Sequence, residues 1–312
     1  MKRAAFVGLL CAALASLAAW ALSAPRPRYA AADGGPAMEA GGDAAAGRIV
    51  FLIGGCNSCH ATPGQPDPLR LGGGLELKTP FGSFYPPNIS PDPDDGIGRW
   101  KVVDLANALM AGVSPDGRHY YPALPYTSYQ HMTAGDVRDL MAYLRTLPPV
   151  QGRPPAHRLA FPFSIRRAVG FWKLRYLDHA RLDPDPSKSA AWNFGRYLVE
   201  GPGHCAECHS PRDSLGGIVS SRRFSGGPTP DGKDKAPDIT GGGLAKWTQA
   251  DIVGALATGI TPEGDSLGGP MAAVVRDAAD LPARYREAIA EYLKSLPGLA
   301  GQGGAAKPNP AQ

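Results

Sequence analysis

The sequence predicts an all-α protein made of two tandem helical domains with long irregular loops. Three observations lead to that expectation. One five-residue signature occurs twice, as Cys56-Asn57-Ser58-Cys59-His60 and Cys205-Ala206-Glu207-Cys208-His209. Its surroundings also repeat: Trp100 pairs with Trp247, Asp104 with Asp251, Ala108-Leu109 with Ala255-Leu256, Gly112 with Gly259, Pro115 with Pro262 and Gly117 with Gly264, all at one offset of 147 residues. Each copy then closes with an amphipathic helix that stops at Leu-Pro. In the first, Val137, Leu140, Met141 and Leu144 form one stripe before Leu147-Pro148; in the second, Ile289, Tyr292 and Leu293 precede Leu296-Pro297.

In chain order, Met1-Lys2-Arg3 is a short positive region followed by 21 uncharged residues from Ala4 to Ala24. A cleaved signal peptide has an apolar core of about 7–15 residues, whereas a membrane span needs about 20. Residues 1–30 therefore read as a signal anchor. A cleaved signal peptide is the alternative, with Ala19-Trp20-Ala21 and Ala21-Leu22-Ser23 as cleavage candidates and Pro25 close behind. Cys11 follows Leu10 rather than a small residue, which makes it a poor lipidation site. On either reading the body is exported. The chain from Pro25 to about Gly42 reads as a flexible tether, with 31–42 lying between anchor and body.

Residues 43–149 form the first predicted domain, ordered as helix, cysteine motif, long loop, helix, loop, helix. Residues 189–298 repeat that order. A Gly-Arg pair sits in the helix upstream of each motif, at Gly47-Arg48 and Gly195-Arg196. The stretch 150–188 belongs to neither copy. It carries one expected amphipathic helix around Ser164–Tyr176, with Ile165, Ala168, Val169, Trp172 and Tyr176 on one side. It reads as an interdomain clasp, or else as a docking or membrane-surface element using Arg166, Arg167, Lys173 and Arg175. Residues 299–312 read as a flexible tail.

The repeated signature has the form C-x-x-C-H, the attachment site of a c-type haem. Two thiols three residues apart can add across the two vinyl groups of one porphyrin, and the next His then reaches the iron. Of five cysteines only Cys11 lies outside the motifs, so no disulfide framework is available. A zinc site would need both pairs around one metal, usually across short loops, yet nearly half the chain separates them. A redox dithiol has no use for a His in the same place twice. The chain is therefore expected to carry two covalent haem c groups in the class I cytochrome c pattern, repeated once. Gly (40) and Pro (32) make up nearly a quarter of the 312 residues, which suits small domains with irregular backbone wrapped around an apolar prosthetic group. The formal charge of +4 comes from Lys2, Arg3, Arg26 and Arg28; the remaining 28 basic residues match the 28 acidic ones. A neutral body gives no reason to expect nucleic acid as a partner.

With His60 and His209 as proximal ligands, the opposite face of each iron sets the chemistry, because a Met thioether there raises the potential and closes the site. Met1 is the initiator, Met38 lies in the tether, and Met110 and Met141 sit at core positions of helices. Met271, in Gly268-Gly269-Pro270-Met271, is the expected ligand of the second haem. The same offset carried back from Met271 lands on Leu124, which cannot ligate iron. Met132 comes eight residues later, before the N-capping run Thr133-Ala134-Gly135-Asp136. It is the candidate for the first haem; a hydrophobic staple with Val137, His131 as ligand, or an open site are the alternatives. His119, His157, His179 and His204 read as surface or hydrogen-bonded histidines. Trp100 and Trp247 either pack near a haem propionate or simply start matched helices.

These residues resemble the dihaem cytochrome c family related to the cytochrome subunits of membrane-bound bacterial dehydrogenases, which include alcohol dehydrogenase-type enzymes and molybdenum hydroxylases. The resemblance runs from about residue 43 to 298. It is carried by Pro87-Asn88-Ile89-Ser90-Pro91-Asp92, Gly96-Ile97-Gly98-Arg99-Trp100, Gly117-Arg118-His119-Tyr120-Tyr121-Pro122, Phe161-Pro162-Phe163-Ser164-Ile165-Arg166 and Gly268-Gly269-Pro270-Met271. Some members place the first-haem Met where this chain has Leu124, and others have an apolar residue there and Met near the following Thr, which favours Met132. The resemblance implies an electron-transfer protein, not an enzyme, held on the periplasmic side of the bacterial inner membrane or soluble in the periplasm after cleavage. A dehydrogenase subunit would be its donor and an oxidase or another cytochrome its acceptor. The alternative function is a dihaem peroxidase-like enzyme with one open haem.

Overall fold

A computed structural model describes residues 2–30, 36–229, 232 and 234–298. The expected tail 299–312 lies outside the described residues. The chain divides by its contacts into two compact units: Met1–Phe51 with Cys59–Arg181, and Leu52–Ser58 with the chain from Leu182 onward. It is largely helical.

In the first unit, α1 (Lys2–Leu22) is a 21-residue helix with no buried residue. The chain after it was expected to be a loose tether, and at several points it is bound instead. Tyr29 N–H donates to Asn107 Oδ1 at 2.9 Å, and Asn107 Nδ2 returns a bond to Tyr29 O at 2.9 Å. Helix α2 (Pro36–Glu39) follows, and its Glu39 Oε1 accepts from Val102 N–H at 2.5 Å. The core is built by α3 (Ala44–Ile53), then, beyond α4 (Cys56–His60), by α5 (Val102–Ala111), α6 (Tyr126–Tyr129) and α7 (Ala134–Leu144). The predicted stripe Val137, Leu140, Met141 and Leu144 is buried, as is Met110. Burial of such apolar stripes, rather than intrinsic propensity, holds short helices together.

The fold also contains sheet that the all-α expectation left out. Strands β1 (Leu77–Thr79), β2 (Gly82–Phe84) and β3 (Arg158–Leu159) form an antiparallel sheet in that order. Strand β3 comes from the expected interdomain stretch, so that stretch is stitched into the first unit. Its helix is also shorter than the spacing predicted: a 3₁₀ turn at Arg166–Ala168 leads into α8 (Val169–Tyr176). Val169 is buried as expected, but Ile165 is exposed and Lys173 is buried. The Lys173 ammonium donates to Ala111 O and Gly112 O at 2.7 Å each, closing the carboxyl end of α5.

The second unit holds α9 (Ala190–Glu200), α10 (Ala206–His209), α11 (Gln249–Thr258), α12 (Met271–Ala279) and α13 (Ala283–Ser295). A two-stranded sheet pairs β4 (Gly227–Pro228) with β5 (Lys235–Ala236). Its core gathers Val199, Phe224, Leu244, Ile252, Ala290, Tyr292 and Leu293, with Trp247 and Ile289 packed on it.

The residues repeated in sequence make the same local structure twice. Asp104 and Asp251 each accept from the backbone N–H at the helix start, from Lys101 at 2.9 Å and Thr248 at 2.7 Å. Gly112 and Gly259 end α5 and α11 in the left-handed region, at φ 59° and 76°. A tight hairpin follows each: Ser114 N–H donates to Arg118 O at 2.9 Å, and Thr261 N–H to Asp265 O at 2.8 Å. Gly117 and Gly264, at φ 73° and 90°, supply the turn.

In both units the first core helix crosses the last at a glycine. A Cβ on Gly47 would overlap the Asp139 carbonyl of α7, and a Cβ on Gly195 would overlap the Ala288 carbonyl of α13. Aromatic edge-to-face pairs flank each crossing, Phe51 with Tyr143 at 5.2 Å and Trp192 with Tyr292 at 5.2 Å. We predict that Gly47→Ala and Gly195→Ala each lower unfolding free energy by about 1–3 kcal/mol, read by denaturant titration of helical circular dichroism. An unchanged midpoint in both variants would mean that the helices do not cross this closely.

Candidate functional site

Each cysteine signature folds as a single helical turn. Gly55, at φ 55°, breaks the chain from α3, and Ser58 N–H and Oγ both donate to Gly55 O, at 3.0 and 2.6 Å. That starts α4, which places Cys56 and Cys59 one turn apart on one face, with His60 next. In the second copy Cys205 caps α10 and His209 ends it.

The two histidines are held identically. The Nδ1 of His60 lies 2.8 Å from Pro87 O, and the Nδ1 of His209 lies 2.8 Å from Pro237 O. A carbonyl oxygen only accepts, so the ring proton sits on Nδ1 and the lone pair on Nε2. The backbone carbonyl of each His is fixed as well, by Gly73 N–H at 2.8 Å and Gly226 N–H at 2.9 Å. Both glycines have positive φ, and a Cβ on Gly73 would overlap the Pro86 carbonyl. Beyond the prolines, Ser90 N–H donates to Asn88 Oδ1 at 2.9 Å and Thr240 N–H to Asp238 Oδ1 at 2.7 Å, fixing the two loops by the same turn.

Pro87 and Pro237 were not recognised from sequence as histidine partners. The signal was present in the matched runs Pro87-Asn88-Ile89-Ser90 and Pro237-Asp238-Ile239-Thr240. Their offset differs from 147 because the preceding loops differ in length.

Burial lowers the pKa of both histidines, partly opposed by the proline carbonyl bonds, so each imidazole stays neutral with Nε2 able to ligate. Burial, together with Cys208 and Glu200 nearby, pushes the Cys205 thiol up to about 12. A thiol held protonated is a poor redox nucleophile or bare-metal ligand. Among the described residues no group of three or more His, Cys, Asp and Glu side chains converges to hold an isolated ion. A one-turn thiol pair, a neutral imidazole whose outer nitrogen is already committed, and a free Nε2 together fit a covalently attached haem.

The sulfur candidates occupy different settings. Met132 is 5% exposed, on the connection between α6 and α7, directly before Thr133, whose Oγ1 accepts from Asp136 N–H at 3.0 Å as the N-cap. Met271 is the first residue of α12, half-buried, after Gly269 at φ 56° and Pro270. Leu124 lies in a turn, its N–H donating to Tyr121 O at 3.1 Å. The Nδ1 of His131 lies 3.1 Å from Ala180 O. Of the remaining histidines, His119 Nε2 bonds Ser23 O at 2.9 Å and His157 Nδ1 accepts from Tyr85 N–H at 3.1 Å.

The second unit includes Leu52–Ser58, and there two contacts escaped the sequence reading. Asn57 Nδ2 donates to Asp277 Oδ1 at 3.1 Å, and His204 Nε2 lies 3.2 Å from Gly54 O. Asp277 is 6% exposed, and its Oδ2, like Asn57 Oδ1, is buried without a partner. Burial raises the Asp277 pKa, opposed by the Asn57 bond. Protonation would give Oδ2 the donor that Asn57 Oδ1 lacks. A raised carboxyl pKa means that the folded state holds the proton longer, so stability falls as pH rises from the ordinary carboxylate range through the folded value. We predict that Asp277→Asn removes this fall, seen when unfolding midpoints of variant and wild type are compared from pH 4 to 8. A constant difference across that range would contradict it.

Comparison with known proteins agrees with this geometry. The cytochrome c family profile matches residues 44–148. The chain is 45% identical over 308 residues to a dihaem cytochrome c-type protein of Cereibacter sphaeroides, covering 96% of this chain and all of that one. It is 40% identical over 253 residues to a nicotinate dehydrogenase subunit of Pseudomonas putida, covering 81% of this chain and 21% of that protein. It is 36% identical over 267 residues to the fructose dehydrogenase cytochrome subunit of Gluconobacter japonicus, covering 82% and 53%. This chain thus spans all of the first relative, a fifth of the second and about half of the third.

Proposed function

We propose that this chain, which belongs to the dihaem cytochrome c-type family, takes electrons from a periplasmic dehydrogenase and passes them to an oxidase or another cytochrome of the respiratory chain. The observation that carries the proposal is the paired His–Pro hydrogen bond, formed identically behind both cysteine signatures. The relatives named as cytochrome subunits of dehydrogenases support a dehydrogenase as donor.

Covalently bound haem c is the cofactor, and it supplies reversible one-electron chemistry. Cys56 and Cys59 tether the first group and Cys205 and Cys208 the second, so that neither depends on iron ligation for retention. His60 and His209 would offer Nε2 to a haem iron, while Pro87 and Pro237 hold the rings and increase their basicity through Nδ1–H. Met132 and Met271 would each supply a thioether sulfur to a haem, which would favour the reduced state and exclude other ligands. The repeats 43–149 and 189–298 act as two class I cytochrome c domains in tandem, with most of 150–188 packed as part of the first compact unit. Helix α1 holds the protein at the periplasmic face of the inner membrane; its removal would give a soluble periplasmic form. The peroxidase-like alternative is not favoured by relatives whose names are those of electron-transfer subunits.

The test is a pair of sulfur deletions, Met132→Ala and Met271→Ala, followed by far-red ferric absorption and spectroelectrochemical titration. Each variant is expected to retain both covalent haems, to lose one methionine–iron contribution and to lower one potential by tens of millivolts or more, within the roughly 0.8 V span that axial ligands command. Survival of both contributions in Met132→Ala would exclude Met132 as a ligand. A wild-type protein with one high-spin haem that turns over peroxide would replace the carrier by the enzyme.

A further inference from the structure

We propose that the segment Phe161–Leu174 is a second membrane contact, lying in the headgroup region of the bilayer beside the point where α1 leaves it. The inference rests on the reading of α1 as an uncleaved anchor. Helix α1 has a mean hydropathy of 2.2 over its best window, and none of that window is buried. Its 21 residues span about 30 Å, the thickness of a hydrocarbon core.

The end of that helix is clamped to the segment. Ser23 is 2% exposed. Arg167 Nε donates to Ser23 Oγ at 3.0 Å and its Nη2 to Trp20 O at 2.6 Å, and the guanidinium lies over the Trp20 ring, 4.0 Å from its centre. Gly170 of α8 comes so close that a Cβ there would overlap the Ser23 carbonyl. His119 adds its bond to the same carbonyl. Trp20 is thus the last aromatic of the apolar helix, at the depth where such residues mark the membrane–water interface, and Arg167 and Gly170 are fixed at that depth with it.

The segment presents apolar side chains that the protein does not cover. Phe161 is 80% exposed, Phe163 38%, Ile165 47%, Phe171 45% and Leu174 54%. On α8 the division is by face: Val169, Gly170 and Lys173 turn inward, while Phe171 and Leu174, three residues apart, turn outward. Outside α1, the other large exposed apolar residues described are Leu75, Leu215, Ile260 and Val274, separated along the chain. A cluster of five within fourteen residues marks a surface built for a partner.

The charge on the segment points to lipid as that partner. From Gln151 to Leu177 there are six basic residues and no acidic one; Arg153 is paired with Asp95 at 2.8 Å and does not contribute. Arg166, Arg167 and Arg175 spend their hydrogen bonds on carbonyl and hydroxyl oxygens, which leave the positive charge uncancelled, whereas Lys173 is turned inward and adds no surface charge. Exposed Phe, Ile and Leu interleaved with cations match an anionic bilayer surface.

The test uses the full chain with both haems, in vesicles of phosphatidylcholine and phosphatidylglycerol. The four motif cysteines are consumed as thioethers, so Cys11 alone takes a nitroxide label and reports the anchor. In a Cys11→Ser background, labels are placed by Phe171→Cys, Leu174→Cys and, as an aqueous reference, Asp94→Cys, whose side chain is 71% exposed. Accessibility to oxygen and to a water-soluble nickel chelate is read by power saturation. Expected at 171 and 174 is nickel accessibility at least several-fold below that at 94, with oxygen accessibility between those of Cys11 and 94. If Cys11 is in the bilayer while 171 and 174 meet nickel, the inference falls and the anchor stands. If Cys11 meets nickel, the anchor reading falls and takes the inference with it. Shielding of 171 and 174 from both reagents would mean a protein covers the patch, and that too overturns the inference.

Discussion

The hydrogen bond from a histidine Nδ1–H to a proline carbonyl is the constraint on which the site depends. It is made twice at the same 2.8 Å length. It decides which ring nitrogen carries the proton, and so which one is left able to ligate a metal. The loops beyond each motif answer to it: Gly73 and Gly226 adopt left-handed backbone so that their N–H groups can grip the histidine carbonyl while the chain returns to deliver Pro87 and Pro237. A ring without this support would rotate about its side-chain bonds and present either nitrogen.

Around that constraint the chain builds two short-helix bundles whose packing is set by close approach. The glycine crossings at Gly47 and Gly195 let backbones meet where any side chain would separate them, and the aromatic pairs beside each crossing fill the remaining space. The acid-capped starts and glycine-capped ends of α5 and α11 then aim two equivalent hairpins. Much of the structure is therefore duplicated, and the differences fall in the loops that carry the sulfur candidates. Leu124 occupies the position that Met271 has in the other copy, while Met132 is reached only after an additional turn of helix, α6.

What the sequence disclosed follows from range. Asp104, Gly112, Gly117 and their partners 147 residues on act within a few residues of themselves, as caps and turns, so their spacing alone revealed the repeat. The stripe on α7 was legible for the same reason. The His60–Pro87 bond spans 27 residues and the His209–Pro237 bond 28, and no local periodicity encodes such a return. Strand β3 pairs with β2 across a still longer gap, so the sheet was missed and the stretch after the first repeat was read as a clasp between the domains rather than as part of the first. Lys173 was weighed among the four cations of a docking or membrane surface; the structure buries it where it satisfies two carbonyls at the end of α5. The Asn57–Asp277 pair, 220 residues apart, had no sequence signal at all.

The central claim is that both signatures hold porphyrin by covalent bonds, each presented to a histidine whose outer nitrogen is already committed. The most direct measurement is the intact mass of the purified chain after denaturation in acid and removal of every non-covalent ligand. The account predicts the polypeptide plus two haem groups, with one group on the fragment holding Cys56 and Cys59 and one on the fragment holding Cys205 and Cys208 after proteolysis. A mass showing one haem or none, in material matured with a competent cytochrome c assembly system, would contradict it.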